Sequence, residues 1–183
     1  MAEVRVVDAP MTTPAAVARP IFTELLERHG PELHRFALRL CRNAADADDL
    51  YQEMALKAYR AFGRLDPDAN YRAWLYRIVS NTYLSDRRKY GRIDPLGDDA
   101  AAALPAPQHD EADRLDAREL LGAVDRLVQR LPPKQRVALI GRKYHDLSYA
   151  ELAAVLGSSE EAARANVYEA LRKLRAGLGD RLG

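Results

Sequence analysis

The chain has 183 residues, 48% of them hydrophobic and 30% charged, with a net charge of +1. That composition suits a globular protein of one large or two small domains and excludes a disordered chain. No apolar run is long enough to cross a bilayer, and a near-zero total charge leaves nucleic-acid binding to be judged from where the charges fall. Residues 1–19 are acidic near their start and lack an apolar core run, so they read as a disordered leader rather than a signal peptide. Apolar residues then recur at helical spacing. Phe22, Leu25, Leu26 and His29 lead into Leu33, Phe36, Ala37 and Leu40, with Gly30-Pro31 expected to kink or split that helix. A second stripe runs Ala47, Leu50, Met54, Ala58 and Ala61. A third takes in Trp74, Leu75, Ile78, Val79 and Thr82, of which the first four are expected in the core.

The helical pattern stops after Arg92, where RIDPLGDDAAAALPAPQHDEA combines prolines, alanines and acids. Residues 93–114 therefore read as a flexible acidic linker. Helical spacing resumes at Leu120, Val124, Leu127 and Leu131 and ends at Pro132-Pro133, where Pro133 opens a further helix marked by Val137, Ile140 and Tyr144. No run alternates well enough for a strand. The expected fold is all-α, two small helical domains at 20–92 and 115–183 joined by the linker.

The second domain carries the clearest local signal. Ser148 with Glu151 matches a capping box that opens a helix burying Tyr149, Leu152, Ala153 and Leu156. Gly157 breaks it, and Ser158 with Glu161 matches a second box before a helix burying Ala163, Val167, Ala170, Leu174 and Leu178. Helix, glycine turn, helix is the helix-turn-helix layout. Its second helix turns Arg164, Tyr168, Arg172 and Arg175 outward, toward phosphates and base edges or simply toward solvent.

Charge falls in blocks of alternating sign. Asp46, Asp48, Asp49 and Glu53 are acidic; Arg72, Arg77, Arg87, Arg88, Lys89 and Arg92 are opposed only by Asp86; Arg126, Arg130, Lys134, Arg136, Arg142 and Lys143 form a later basic run. The only cysteine, Cys41, has no disulfide partner in the chain, which fits a cytoplasmic location, and it reads as a small buried apolar residue ahead of a sensor thiol. His29, His34, His109 and His145 show no ligand spacing, so no metal site and no cofactor is expected. No paired catalytic carboxylates, nucleophile with a base or glycine-rich phosphate loop argues for an enzyme.

The segments DADDLYQEMALKAYRAF (46–62) and NYRAWLYRIVSNTYLSDRRK (70–89), followed by LPPKQRVAL and LSYAELAAVLG, resemble a bacterial sigma factor of the sigma-70 family, in its extracytoplasmic-function (ECF) class. The resemblance runs over about residues 20–180. It implies a transcription initiation factor that binds core RNA polymerase, reads duplex −35 DNA with the second domain, and reads and holds single-stranded −10 DNA with the first. It also implies an anti-sigma partner, by analogy, and no membrane insertion.

The same resemblance assigns candidate residues. Asp49, Gln52 and Glu53, on one helix face, would dock on the polymerase; a helix start rich in acids is the plainer account, and it suits Asp46 and Asp48 better. The loop from Arg64 through Asp66 to Asn70 would form a pocket for a flipped −10 base, or else be an ordinary turn with Asn70 as helix cap. Asn81 would bond a base edge, or serve the helix surface, and Arg72, Arg77, Arg87 and Arg88 would meet the backbone or remain solvated. For −35 DNA the candidates are Ser159, Glu161, Arg164, Ala165, Tyr168, Arg172 and Arg175. The recognition helix departs from the family's T-V-K-S-R with Ala162, Ala163, Arg164, Ala165 and Asn166, and Glu169 stands where an arginine is usual. Ser85 likewise replaces an acidic or amide residue. An alternative reading is a stand-alone helix-turn-helix regulator that binds duplex DNA unaided; it leaves the first domain without a purpose.

Overall fold

The structure, a computed structural model, describes residues 14–66, 69–90 and 111–182, and these hold seven α-helices and no strand. They are α1 (Pro14–Cys41), α2 (Ala44–Phe62), α3 (Tyr71–Tyr90), α4 (Glu111–Gln129), α5 (Pro133–Tyr144), α6 (Tyr149–Leu156) and α7 (Glu160–Leu182). Two expected boundaries shift. Helix α1 starts inside the expected leader and α4 inside the expected linker. The remainder of the leader, and residues 93–110 of the linker, lie outside the described residues.

Helices α1 to α3 close around Leu33, Phe36, Leu40, Met54, Leu75, Tyr76 and Val79, all fully buried. Each such side chain contributes about 1.5–3 kcal/mol relative to exposure. Helix α1 runs unbroken through Gly30-Pro31. The glycine serves a different purpose there: a Cβ on Gly30 would lie 2.6 Å from the Tyr51 hydroxyl, so its absence lets α2 approach. Arg42 closes α1 in the left-handed region at φ 59°, its N–H donating to the Leu38 carbonyl at 2.8 Å. Asn43 then caps α2, its side-chain oxygen accepting from the Ala45 and Asp46 amides. Trp74 and Ile78 depart from expectation. Both are half-buried at the edge of the core, whereas Leu75 and Val79 are inside it.

In the second unit Ser148 and Glu151 form the reciprocal capping box. Gly157 ends α6 at φ +59°, where L side chains are strained, and Ser158 N–H bonds the Ala153 carbonyl at 2.9 Å. That closure takes Ser158 into the end of α6. The cap of α7 is therefore Ser159, whose Oγ accepts from Ala162 N–H at 3.2 Å, one residue later than the spacing suggested. Leu152, Val155, Ala163, Val167 and Ala170 are buried where α6 and α7 meet; Tyr149 and Leu178 are only half-buried.

The two units pack together, α6 against α3 and α5 against α1. The contact is polar and buried. Arg72 of α3 donates to Glu32 of α1 at 3.2 Å and to the His145 carbonyl at 2.6 Å. Tyr76 Oη lies 2.9 Å from His145 Nδ1, and Phe36 meets the imidazole edge-on. Burial pushes His145 down to about 4, helped by Arg39, Arg72 and Arg35, against Glu32, which raises it. The neutral imidazole is thus the folded form, and its contribution is complete above its ordinary value near 6.5 and lost as pH falls from there toward 4. Glu32 is held low, burial raising it but Arg72 and His29 outweighing that, so its contribution is complete above the ordinary carboxylate value and is lost as pH falls from there, below the His145 window. Thermal stability should therefore fall between pH 6.5 and 5, and His145→Gln should flatten that slope in a melting series.

Candidate nucleic-acid interface

Helix α3 presents a second face away from its core. Trp74, Ile78, Asn81, Ser85 and Arg88 follow one another at steps of four and three, which places them in one row. Together with Lys57 of α2 this row lines an open cleft of about 400 Å³ between α2 and α3. Lys57 Nζ reaches Thr82 Oγ1 at 3.1 Å and Glu53 at 2.6 Å, which fixes it at the cleft wall. Arg88 is anchored by its Nε to the Leu84 carbonyl at 3.3 Å and is otherwise exposed, as is Asn81. An indole, an amide and two cations in one groove match what a single strand needs: platforms for bases, donors for their edges, charge for phosphates.

The remaining first-domain candidates lie elsewhere. Arg77 is exposed one turn before Asn81 and does not line the cleft. Arg64 and Asp66 are exposed in the turn after α2, and Asp66 accepts from Ala69 N–H at 3.0 Å. Asn70 caps α3 through Ala73 N–H at 3.0 Å and also reaches the Glu151 carboxylate. Arg72 is taken up by the contact between the units, and Arg87 lies 5.6 Å over the Tyr83 ring. Neither lines the cleft.

Asp49, Gln52 and Glu53 share an exposed face of α2. Leu56, 57% exposed, continues it, and the sequence reading missed this residue. Its signal was present: a leucine out of phase with the buried row Leu50, Met54, Ala58. Asp48 turns instead to His34 at 2.6 Å. Lys57 was also missed, since its periodicity is that of an ordinary solvated lysine.

On α7, Glu161, Arg164, Ala165, Tyr168, Arg172 and Arg175 form one exposed stripe headed by the Ser159 cap. Its own backbone amide, and then the Ser159 hydroxyl, hold the Glu161 carboxyl below its usual range. Arg172 is bridged to Glu169 at 2.6 Å, and Asn166 donates to the Ala162 carbonyl at 2.9 Å. Both departures from the family pattern thus have partners within the helix. The basic run of the second unit loses one member: Arg136 is buried, 4% exposed, and so unavailable to a partner. Among the described residues there is no cluster that would hold a metal ion and no helix long and apolar enough to cross a membrane.

Comparison with known proteins agrees with this geometry. The Sigma-70 region 2 family matches residues 25–93, and Sigma-70, region 4 matches 121–174. The chain is 34% identical over 166 residues to the RNA polymerase sigma factor CarQ of Myxococcus xanthus, covering 89% of this chain and 92% of that protein. It is 35% identical to the ECF RNA polymerase sigma factor SigM of Mycobacterium tuberculosis, over 88% of this chain and 79% of that one. Among solved structures it is similar to the sigma factor RpoE in complex with the anti-sigma factor NepR from Bartonella quintana, at TM-score 0.69 and 26% identity, covering 87% of this chain and 97% of that chain. Two helical units that match regions 2 and 4 in this order, with relatives at this identity and coverage, make the chain a member of the sigma-70 family of transcription initiation factors, in its ECF group.

Proposed function

We propose that the α2–α3 cleft holds the melted −10 strand and that the exposed stripe of α7 enters the major groove at −35. The observation that carries the first half is the row Trp74, Asn81 and Arg88 facing Lys57 across open space. Arg64, Asp66 and Asn70 sit beside the helix start where an extruded base would be received, with Arg77 exposed one turn before Asn81, and Arg72 and Arg87 entering only if the units separate. Asp49, Gln52 and Glu53, with Leu56 among them, form the face for core RNA polymerase: an apolar centre framed by acids suits a basic helical partner. On this reading the polymerase supplies the chemistry, the chain supplies recognition, and its work lies in the cytoplasm. An anti-sigma partner follows by similarity, since the RpoE structure was captured with NepR.

The test is transcription in vitro with core polymerase lacking its own sigma factor, on genomic fragments, with transcript starts sequenced. Discrete starts sharing two upstream motifs are expected. Absence of specific starts, with the protein alone retarding duplex DNA, would replace this reading with that of a stand-alone regulator.

A further inference from the structure

Three helices of the second unit converge on one aromatic ring. Tyr149, the first residue of α6, has the Arg142 guanidinium of α5 at 5.2 Å from its ring centroid and that of Arg164 of α7 at 4.4 Å. Tyr149 is half-buried and packed against the core, so the ring is fixed. Arg142 is fixed too, its Nη1 donating to the Leu147 carbonyl at 3.3 Å. Arg164 is the exposed member, its side chain 61% accessible and paired also with Glu160 at 3.6 Å.

We propose that Tyr149 is a positioning residue for −35 recognition, whose ring presets the Arg164 guanidinium for duplex DNA. The inference rests on the assignment of α7 to the major groove. An arginine on an exposed helix loses much rotamer freedom when it binds, and a ring that already restrains it lowers that loss. The first turns of a recognition helix are those that meet base edges, and Arg164 lies there. The other two arginines of the stripe differ. Arg172 is engaged by Glu169, and no ring stands over Arg175 among the described residues. With Glu169 and Asn166 in place of the family's cations, Arg164 is the preset cation of this helix, which makes its placement matter more.

The ring's electronics, rather than its hydroxyl, do the presetting. Tyr149→Phe in the full chain, assembled with core polymerase, should therefore keep wild-type affinity for the mapped promoter. Phenylalanine carrying two ring fluorines at the same position keeps the shape but weakens the face, and should lose affinity, as should Tyr149→Leu. A cation–π contact at an exposed site corresponds to about three- to fivefold in affinity. The loss should vanish on a template with a scrambled −35 block, and Tyr149→Leu should add nothing to Arg164→Ala. A loss that persists on the scrambled template, or that adds in full to Arg164→Ala, would mean that Tyr149 merely supports the fold and would overturn the proposal. Equal affinity for the fluorinated and Phe proteins would also overturn it. If Arg164→Ala itself leaves affinity unchanged on the native promoter, the placement of α7 at −35 fails along with it; if only the Tyr149 variants are silent, that placement stands.

Discussion

The double variant Asn81→Ala/Arg88→Glu should bind core polymerase normally and fail to open promoters. Both side chains are exposed, so their loss leaves the three-helix core untouched and stability within about 0.5 kcal/mol. If the cleft holds the melted strand as proposed, the variant loses an amide that can bond a base edge, about 1–3 kcal/mol, and turns a cation on the strand's path into an anion. Together these amount to about 3 kcal/mol, a hundredfold or more in open-complex formation. Permanganate reactivity of unpaired thymines measures the opening directly, and gel filtration measures assembly with core. Trp74→Ala is a less clean test, because the indole also packs on Phe62, with ring centroids 6.4 Å apart, and its removal would loosen the fold. Wild-type permanganate reactivity in the double variant would end the assignment of the cleft to the melted strand.

Arg136→Met should cost about 3–5 kcal/mol of stability, the largest effect expected of any single basic residue here. Its guanidinium donates to the carbonyls of Val128 at 3.1 Å, Gln129, and Leu131 at 3.4 Å. The first two are carbonyls of the last turn of α4 and the third lies just beyond it; Val128 also accepts the Leu131 N–H at 3.1 Å. Another N–H reaches the Tyr83 hydroxyl of α3 at 2.5 Å, so one side chain both closes a helix and ties the two units together. Burial pushes the guanidinium down from its ordinary value, with Tyr83 opposing, yet an arginine remains charged. Methionine fills the volume but donates nothing, which takes the guanidinium away from the carbonyls of Gln129 and Leu131 and leaves that of Val128 with its turn bond alone. Urea unfolding followed by circular dichroism reads the loss. Tyr83→Phe removes only the bond between units and should cost about 1–1.5 kcal/mol. If Arg136→Met cost under 1 kcal/mol, water would have to replace the guanidinium at those carbonyls.

The helices were legible because periodicity reports a face directly. The row Ala47, Leu50, Met54, Ala58 is buried as the spacing requires, and so are Leu33, Phe36 and Leu40. What periodicity cannot report is what a face meets. Arg72 and Arg136 look in sequence like members of basic surfaces, but each is drawn inward by an acceptor far along the chain, Glu32 for Arg72 and the Tyr83 hydroxyl for Arg136. The same limit explains Trp74, which belongs to a helix with two occupied faces and sits where they join. Local chemistry gave the caps to within one residue; the error at Ser158 arose because the glycine closure of α6 uses one residue more than the spacing alone discloses. In the candidate site Asn81 and Arg88 were legible, whereas Lys57 was not, because a cleft wall is made by two helices and neither sequence contains it.

Cys41 is half-buried, packed against the core rather than inside it, and this has a practical corollary. Desolvation and the nearby Asp46 push its thiol up to about 12. At neutral pH only about one molecule in 10⁵ then carries the thiolate, the form that alkylating agents and peroxides attack. The Cys41 thiol of the folded chain should accordingly react slowly with such reagents, and faster in molecules in which α1 has come away from its neighbours. The single thiol thus doubles as a probe: its labelling rate rises with how often the molecule opens, without any engineered site.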